Sequence, residues 1–449
     1  MPESLLPRVL DELGVEQVAD FGEARLGASV PLRSRLSTGR LAWASVAAVT
    51  HAAGLPVDDI DPQRVAAAYR SDRALTVDGA TPPVWSAYSG FWRTADGWVR
   101  THGNYPHHAR ALLRGLGLSS TDANLASPDP TSVASVLSTC TSAQAAERIG
   151  AAGGLAVIVS REQASVDADL RSTPLLAIDL AGAPSRLEII DAPPADGPPL
   201  AGIRVLDVTR VIAGPVCTRT LALLGADVLR IDPPYLPEPD WQHLDTGHGK
   251  RSALLDARTS KMEELLAAAD AVVLGYRPAA LARLALDPDS VAQRHPHLVI
   301  AQLTAWGADH PDRAGFDSLV QAESGIAWIE SADGTTPGAL PAQALDHSAG
   351  YLLAAAVTTL LRGRRAGGGS RRVSTSLRRI AAELLGLPRA DPSHDPGPAS
   401  APVPPSLREL RADLIEFAVG GRTVTTARPA LPGLDYSAPR PWGSDDPRW

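Results

Sequence analysis

The 449-residue chain carries only two cysteines, Cys140 and Cys217. Two such residues exclude a disulfide framework and a cysteine-based zinc site, and each reads as a small buried apolar side chain. Lysine is almost as rare: of 42 basic residues only Lys250 and Lys261 are lysines, against 50 acidic residues and a net charge of −8. A basic cluster is missing as well, which excludes general nucleic-acid binding. The longest uninterrupted apolar stretches, such as residues 352–357, fall far below the ~18 residues of a membrane span. The N-terminus has neither the basic nor the apolar region of a signal peptide, so a cytoplasmic chain with no membrane partner is expected.

Several motifs are absent too. The first strand-to-helix turn of a dinucleotide-binding fold needs G-x-G-x-x-G so that backbone can approach a pyrophosphate. Here it reads Thr209-Arg-Val-Ile-Ala-Gly-Pro215, one glycine followed by proline, which leaves Asp232 as a plain strand end and disfavours a nicotinamide enzyme. No H-x-x-x-H or H-E-x-x-H occurs, and the adjacent His107 and His108 cannot share a helix face, so no metal site is expected. Lack of G-x-S-x-G weighs against an α/β-hydrolase.

What is present reads as two units. Residues 1–165 combine helical stretches with a hairpin-like pair, residues 84–94 and 98–102, turning through Ala95-Asp96-Gly97, and suggest a small α+β domain. Residues 166–199, rich in Pro and Ala, read as a connector. From 200 to 387 short apolar strands at 203–208, 226–231, 271–274 and 298–303 alternate with helical stretches, the rhythm of βαβ units and a parallel sheet. Residues 388–406 hold seven prolines in nineteen positions and suggest an extended linker. Residues 407–449, ending in Trp442 and Trp449, are expected to dock back on the body.

One acid stands at an element boundary. Asp346, in Pro341-Ala-Gln-Ala-Leu-Asp-His-Ser-Ala-Gly350, is placed to start the following helix. It suits a simple N-cap, or a carboxylate nucleophile held beside backbone donors that stabilise an oxyanion.

Residues 198–380 resemble CoA-transferase family III, which contains formyl-CoA and carnitine CoA-transferases and related acyl-CoA racemases. The carrying segments are 199–232, 249–256, Tyr276-Arg-Pro278, 303–307, 313–321 and Leu345-Asp346 with Gly350, in the family's order. The resemblance implies a Rossmann-like large domain with a smaller α+β domain. It implies an acyl-CoA:carboxylate CoA-transferase in which Asp346 attacks the donor thioester and forms an aspartyl-CoA intermediate. The implied substrates are an acyl-CoA and a carboxylic acid acceptor, with CoA as carried group rather than resident cofactor. It places Lys250, Arg251, Tyr276, Arg277, Ala213, Gly214 and Arg219 near CoA, and it implies a homodimer. The family's Asn-Phe-Arg-Pro-Gly appears as Gly275-Tyr-Arg-Pro-Ala279, and the segment like its small domain, 84–165, precedes the large domain instead of following the aspartate. The racemase branch has a His-Asp pair where this chain has Phe316-Asp317, so transfer is favoured. An inactive CoA-binding partner subunit and a lyase or hydratase using the same thioester remain open, and His347 has no assigned role.

Overall fold

A computed structural model describes residues 5–15, 30–118, 129–181, 197–363, 370–389 and 413–449. Among them thirteen strands, numbered along the chain, are β1 (Thr76–Val77), β2 (Gly90–Arg93), β3 (Trp98–Thr101), β4 (Ala156–Ile158), β5 (Ala177–Ala181), β6 (Arg204–Val208), β7 (Asp227–Asp232), β8 (Arg251–Leu254), β9 (Ala271–Leu274), β10 (Val299–Thr304), β11 (Ser370–Ser376), β12 (Leu414–Val419) and β13 (Arg422–Ala427). Seven form the central sheet in the order β5-β11-β10-β9-β6-β7-β8. All neighbours are parallel except β5, which runs antiparallel to β11 at one edge.

The central strands β6, β9 and β10 carry apolar side chains on both faces because helices cover both. Alternate side chains go to different cores: Val205, Val273 and Ala301 to one, Leu206, Val272 and Ile300 to the other, as the two-residue period of a strand requires. The larger core holds helix Ala344–Arg362, whose residues are buried from Ala344 through Leu361. It packs between helix Thr38–Ala52 and helix Ala213–Leu223. Small side chains make the approach close: a Cβ on Gly350 would lie 2.6 Å from the carbonyl oxygen of Ala213. By length and composition this helix could cross a membrane, yet it is wholly buried inside the protein.

Three expectations change. Helices Leu5–Glu12, Thr38–Ala52 and Pro62–Tyr69 join the central core through Leu6, Val46 and Tyr69, so residues 1–165 are not one small domain. The alanine-rich helix Thr38–Ala52 packs on the alanine-rich helix 344–362, a choice of partner that periodicity does not encode. Residues 166–199 are more than a connector, since they carry most of helix Ala164–Arg171 and the edge strand β5. That helix is tied to helix Leu377–Gly386 by Asp167 and Arg378, 2.7 Å apart. Finally, helix 344–362 starts ahead of Asp346, with Gln343 at its N-cap position, so Asp346 is not the cap. Of the 388–406 linker, residues 390–406 lie outside the described residues.

The C-terminal stretch forms the hairpin β12–β13, to which β1 adds a third strand. Beyond it the chain lies along the body: Pro439 bridges His248, Asp445 bridges Ala253, and Trp449 packs on the second core. A third sheet, β2-β3-β4, has its own core of Val99, Leu112, Leu137 and Ile149 with the helices that follow. It abuts the helix Asp317–Glu323.

Candidate active site

The parallel strands are entered in an order that reverses beside β6: the chain passes outward to β7 and β8, then returns to β9 on the other side. Ligands of open α/β sheets occupy the crevice at such a switch point, outside the carboxyl ends of the strands. Here a cavity of about 660 Å³ opens there. Its floor comes from the loops after β6 and β9 through Arg210, Ala213, Tyr276 and Arg277, and its far wall from the small sheet through Val157 and from helix Pro106–Gly115 through His108. Asp346 lines it, on the first turn of helix 344–362 and only 6% exposed.

Asp346 has a second carboxylate behind it. Asp317 Oδ2 accepts hydrogen bonds from the backbone N–H of Leu345 (2.9 Å) and of Asp346 (3.0 Å), so Asp317 caps helix 344–362 from a neighbouring one. Its Oδ1 accepts from Gln321 Nε2, while Gln321 Oε1 accepts from Leu340 N–H at 2.9 Å. Burial pushes Asp317 up to about 6 against these donors. Asp346 is held well above the usual carboxylate range, first by burial and then by repulsion from Asp317. The pair thus titrates as a dyad, with Asp317 the more acidic partner because it is the one that accepts the amide hydrogen bonds.

The loop between β6 and helix 213–223 is strained. Val211, a β-branched residue lining the cavity, has φ +73°, a conformation that costs such a side chain on the order of 1–3 kcal/mol. The adjacent turn closes tightly, since a Cβ on Gly214 would lie 2.4 Å from Thr209 Cβ. Three arginines line the cavity. Arg210 stacks over the Tyr105 ring at 4.8 Å and pairs with Glu238 at 3.3 Å. Arg313 lies over Trp306 at 3.7 Å and pairs with Glu323. Arg277 is exposed, with a 3.1 Å hydrogen bond to the Asp312 carbonyl. His108 is pushed down to about 3 by burial, then by His107 and Arg277, so its imidazole is neutral. Among the described residues no group of three metal-ligating side chains occurs.

The structure therefore brings Asp346, Tyr276, Arg277 and Ala213 to one cavity and places the other sequence candidates elsewhere. Lys250 is 2% exposed, and its Nζ donates to Asp207 Oδ2 (3.0 Å) and to the Pro215 carbonyl (2.9 Å). Asp207 also accepts from Thr218 at 2.6 Å, which makes the lysine part of a buried network that anchors helix 213–223 to β6. Arg251 pairs with Asp227 at 2.7 Å and lies over Trp449 at 5.5 Å, pinning the C-terminal stretch. Arg219 donates to the Asp245 carbonyl at 2.7 Å beneath the Tyr436 ring, and Gly214 is a packing residue. His347 stacks on Tyr69, ring centroids 5.1 Å apart, on the side of the N-terminal helices. Arg210, His108 and the capping role of Asp317 were not singled out from sequence. The one local signal for Arg210 is its place just after a strand, in the turn where a sheet-edge ligand sits.

Part of the chain is similar to known proteins. Residues 200–400 match the model of CoA-transferase family III. A probable fatty acyl-CoA transferase of Mycobacterium tuberculosis is 32% identical over 229 residues, 45% of this chain and 58% of that protein. A succinyl-CoA:glutarate CoA-transferase of Homo sapiens is 30% identical over 161 residues (31% and 37%). A formyl-CoA:oxalate CoA-transferase of Bradyrhizobium diazoefficiens is 28% identical over 195 residues (40% and 46%). A crystal structure of the M. tuberculosis protein covers 42% of this chain and 58% of that one, at 32% identity and a TM-score of 0.39. The chain spans little more than half the length of the first of these relatives and less than half of the other two. The segment similar to CoA-transferase family III, residues 200–400, carries Asp346 and all the parallel strands of the central sheet.

Proposed function

We propose that the protein is an acyl-CoA:carboxylate CoA-transferase with Asp346 as covalent nucleophile. The observation that carries this reading is the position of Asp346, on a buried helix turn in the wall of the switch-point cavity. The carboxylate attacks the donor thioester and expels CoA thiolate. The thiolate then attacks the aspartyl carbonyl of the mixed anhydride, releasing the donor acid and leaving aspartyl-CoA, which the acceptor carboxylate resolves by the reverse steps. Covalent catalysis of this kind divides one difficult exchange into easier ones. The first amides of helix 213–223, which have no partner within the helix, supply donors for the oxyanion. The cations for the CoA phosphates are those that line the cavity, Arg277 foremost, rather than Lys250 and Arg251. A wall of arginines suits phosphates and carboxylates because guanidinium binds both in bidentate fashion.

The test is intact mass spectrometry after incubation with formyl-CoA, succinyl-CoA and a long-chain acyl-CoA, beside Asp346→Ala. A mass gain matching CoA or the acyl group, present in the wild type and absent in the variant, is the expected result. An unchanged mass with every donor would end the covalent reading.

A further inference from the structure

Asp346 is the partition between two spaces. On one side lies the large cavity. On the other is a pocket of about 30 Å³, and Val211, Phe316 and Asp346 line both. The walls of the small pocket are largely apolar, but polar side chains reach its lining, among them His102, Asp317, Ser318 and Gln343. Its volume holds a water, which needs roughly 10–15 Å³ and two to four polar partners. Two of its lining groups have unspent hydrogen-bonding capacity, His102 Nδ1 and Ser318 Oγ, both buried and without a partner among the described residues. His102 is held in place by stacking flat on Phe316, centroids 3.8 Å apart with 7° between the ring planes. Burial, then His108 and Arg100, keep its imidazole neutral, so one ring nitrogen presents a lone pair that can accept a hydrogen bond from water.

We infer that this pocket seats a hydrolytic water, with His102 as its general base, so that the protein also hydrolyses acyl-CoA thioesters when no acceptor acid is present. This rests on the proposed role of Asp346. Asp346 carboxylate attacks the thioester carbon, the C–S bond breaks, and CoA leaves as thiolate. Water then attacks the Asp346 Cγ of the anhydride from the small pocket, giving one proton to His102. The bond from Cγ to the bridging oxygen breaks, the acyl group leaves as carboxylate, and Asp346 is restored carrying the water's oxygen. One of the two water protons is taken up by CoA thiolate and the other enters solution. The net reaction consumes acyl-CoA and water and yields the carboxylate, CoA thiol and a proton.

The experiment uses the full chain with the acyl-CoA that forms the Asp346 adduct, no acceptor, and free thiol as readout. Wild type should release CoA continuously. His102→Gln should give one equivalent and then slow by about a hundredfold, the size of a lost general base, while the adduct accumulates. A single turnover in ¹⁸O water should leave the label in the Asp346 peptide, a gain of about 2 Da from one such oxygen, and not in the released acid. Ser318→Ala should slow release severalfold, which keeps the test open if His102→Gln does not fold. A stable wild-type adduct, label in the released acid, or unaltered release by both variants would overturn the inference. If instead no adduct forms, or Asp346→Ala releases CoA at the wild-type rate, the reading of Asp346 itself fails.

Discussion

Asp317→Asn isolates the electrostatic coupling at the site. In the wild type Asp317 ionises at about 6, and above that pH its charge helps to hold the Asp346 proton on. A protonated carboxyl is a poor nucleophile, so the rate of adduct formation should climb with pH as Asp346 ionises, well above the ordinary carboxylate range. As a general scale, like charges within ~4–6 Å in an effective dielectric of about 20 repel by about 3–4 kcal/mol, or upward of about two pKa units. Asparagine removes that charge and keeps an oxygen for the Leu345 and Asp346 amides, at a cost of about 1 kcal/mol for the weaker cap. The acid limb of the pH–rate profile should therefore move down by about two units, with Asp346 still raised by burial. Stability follows the same sign. Because the Asp317 pKa is raised in the fold, its contribution is complete below about 4, the unfolded value, and is lost as pH rises through about 6. Thermal melts should show that decline in the wild type and a smaller one in Asp317→Asn. A limb that stays in place would show that burial alone sets the Asp346 proton and that the dyad is not coupled.

Two further substitutions separate binding from support. Lys250→Met leaves Asp207 buried without its cation, which should cost about 3–5 kcal/mol in chemical denaturation, while the KM for CoA substrates in whatever folds stays the same; a raised KM with undiminished stability would return Lys250 to the binding site. Arg277→Ala removes an exposed cation with a single hydrogen bond to protein, so the melting temperature should hold and the KM for acyl-CoA should rise about tenfold, the loss of roughly 1.4 kcal/mol of charge-assisted contact; an unchanged KM would move the CoA phosphates elsewhere.

How much of this could be read in advance depends on the range of the interactions involved. Strands β6, β7, β9 and β10 were legible because a fully buried parallel strand is an apolar run of five or six residues, a local pattern. β8 and β11 were not, since Arg251-Ser-Ala-Leu254 and Ser370–Ser376 mix polar and apolar residues and become strands by pairing with neighbours far along the chain. The N-terminal helices were legible as helices, but their partner, helix 344–362, lies some 300 residues away in sequence. Where small side chains make the contact, hydrophobic pattern names a buried face without naming what buries it.

The site shows the same division more sharply. Asp346 could be proposed from local features, a carboxylate near an element boundary, while Asp317, whose charge adds to burial in holding its proton, acts across 29 positions. Scarcity misled in the opposite sense: one of two lysines invites a functional reading, yet Lys250 forms a buried ion pair with Asp207, 43 positions away, and such a pair is needed wherever an acid sits inside a sheet. His102 carried no motif at all. Its relevance comes from β3 delivering it onto Phe316, at the position where a histidine would precede Asp317 in the racemase branch that the sequence resembles. The imidazole that shares the small pocket with the aspartate pair is therefore supplied by a different part of the chain, and only the three-dimensional arrangement, not the order of residues, brings it to that pocket.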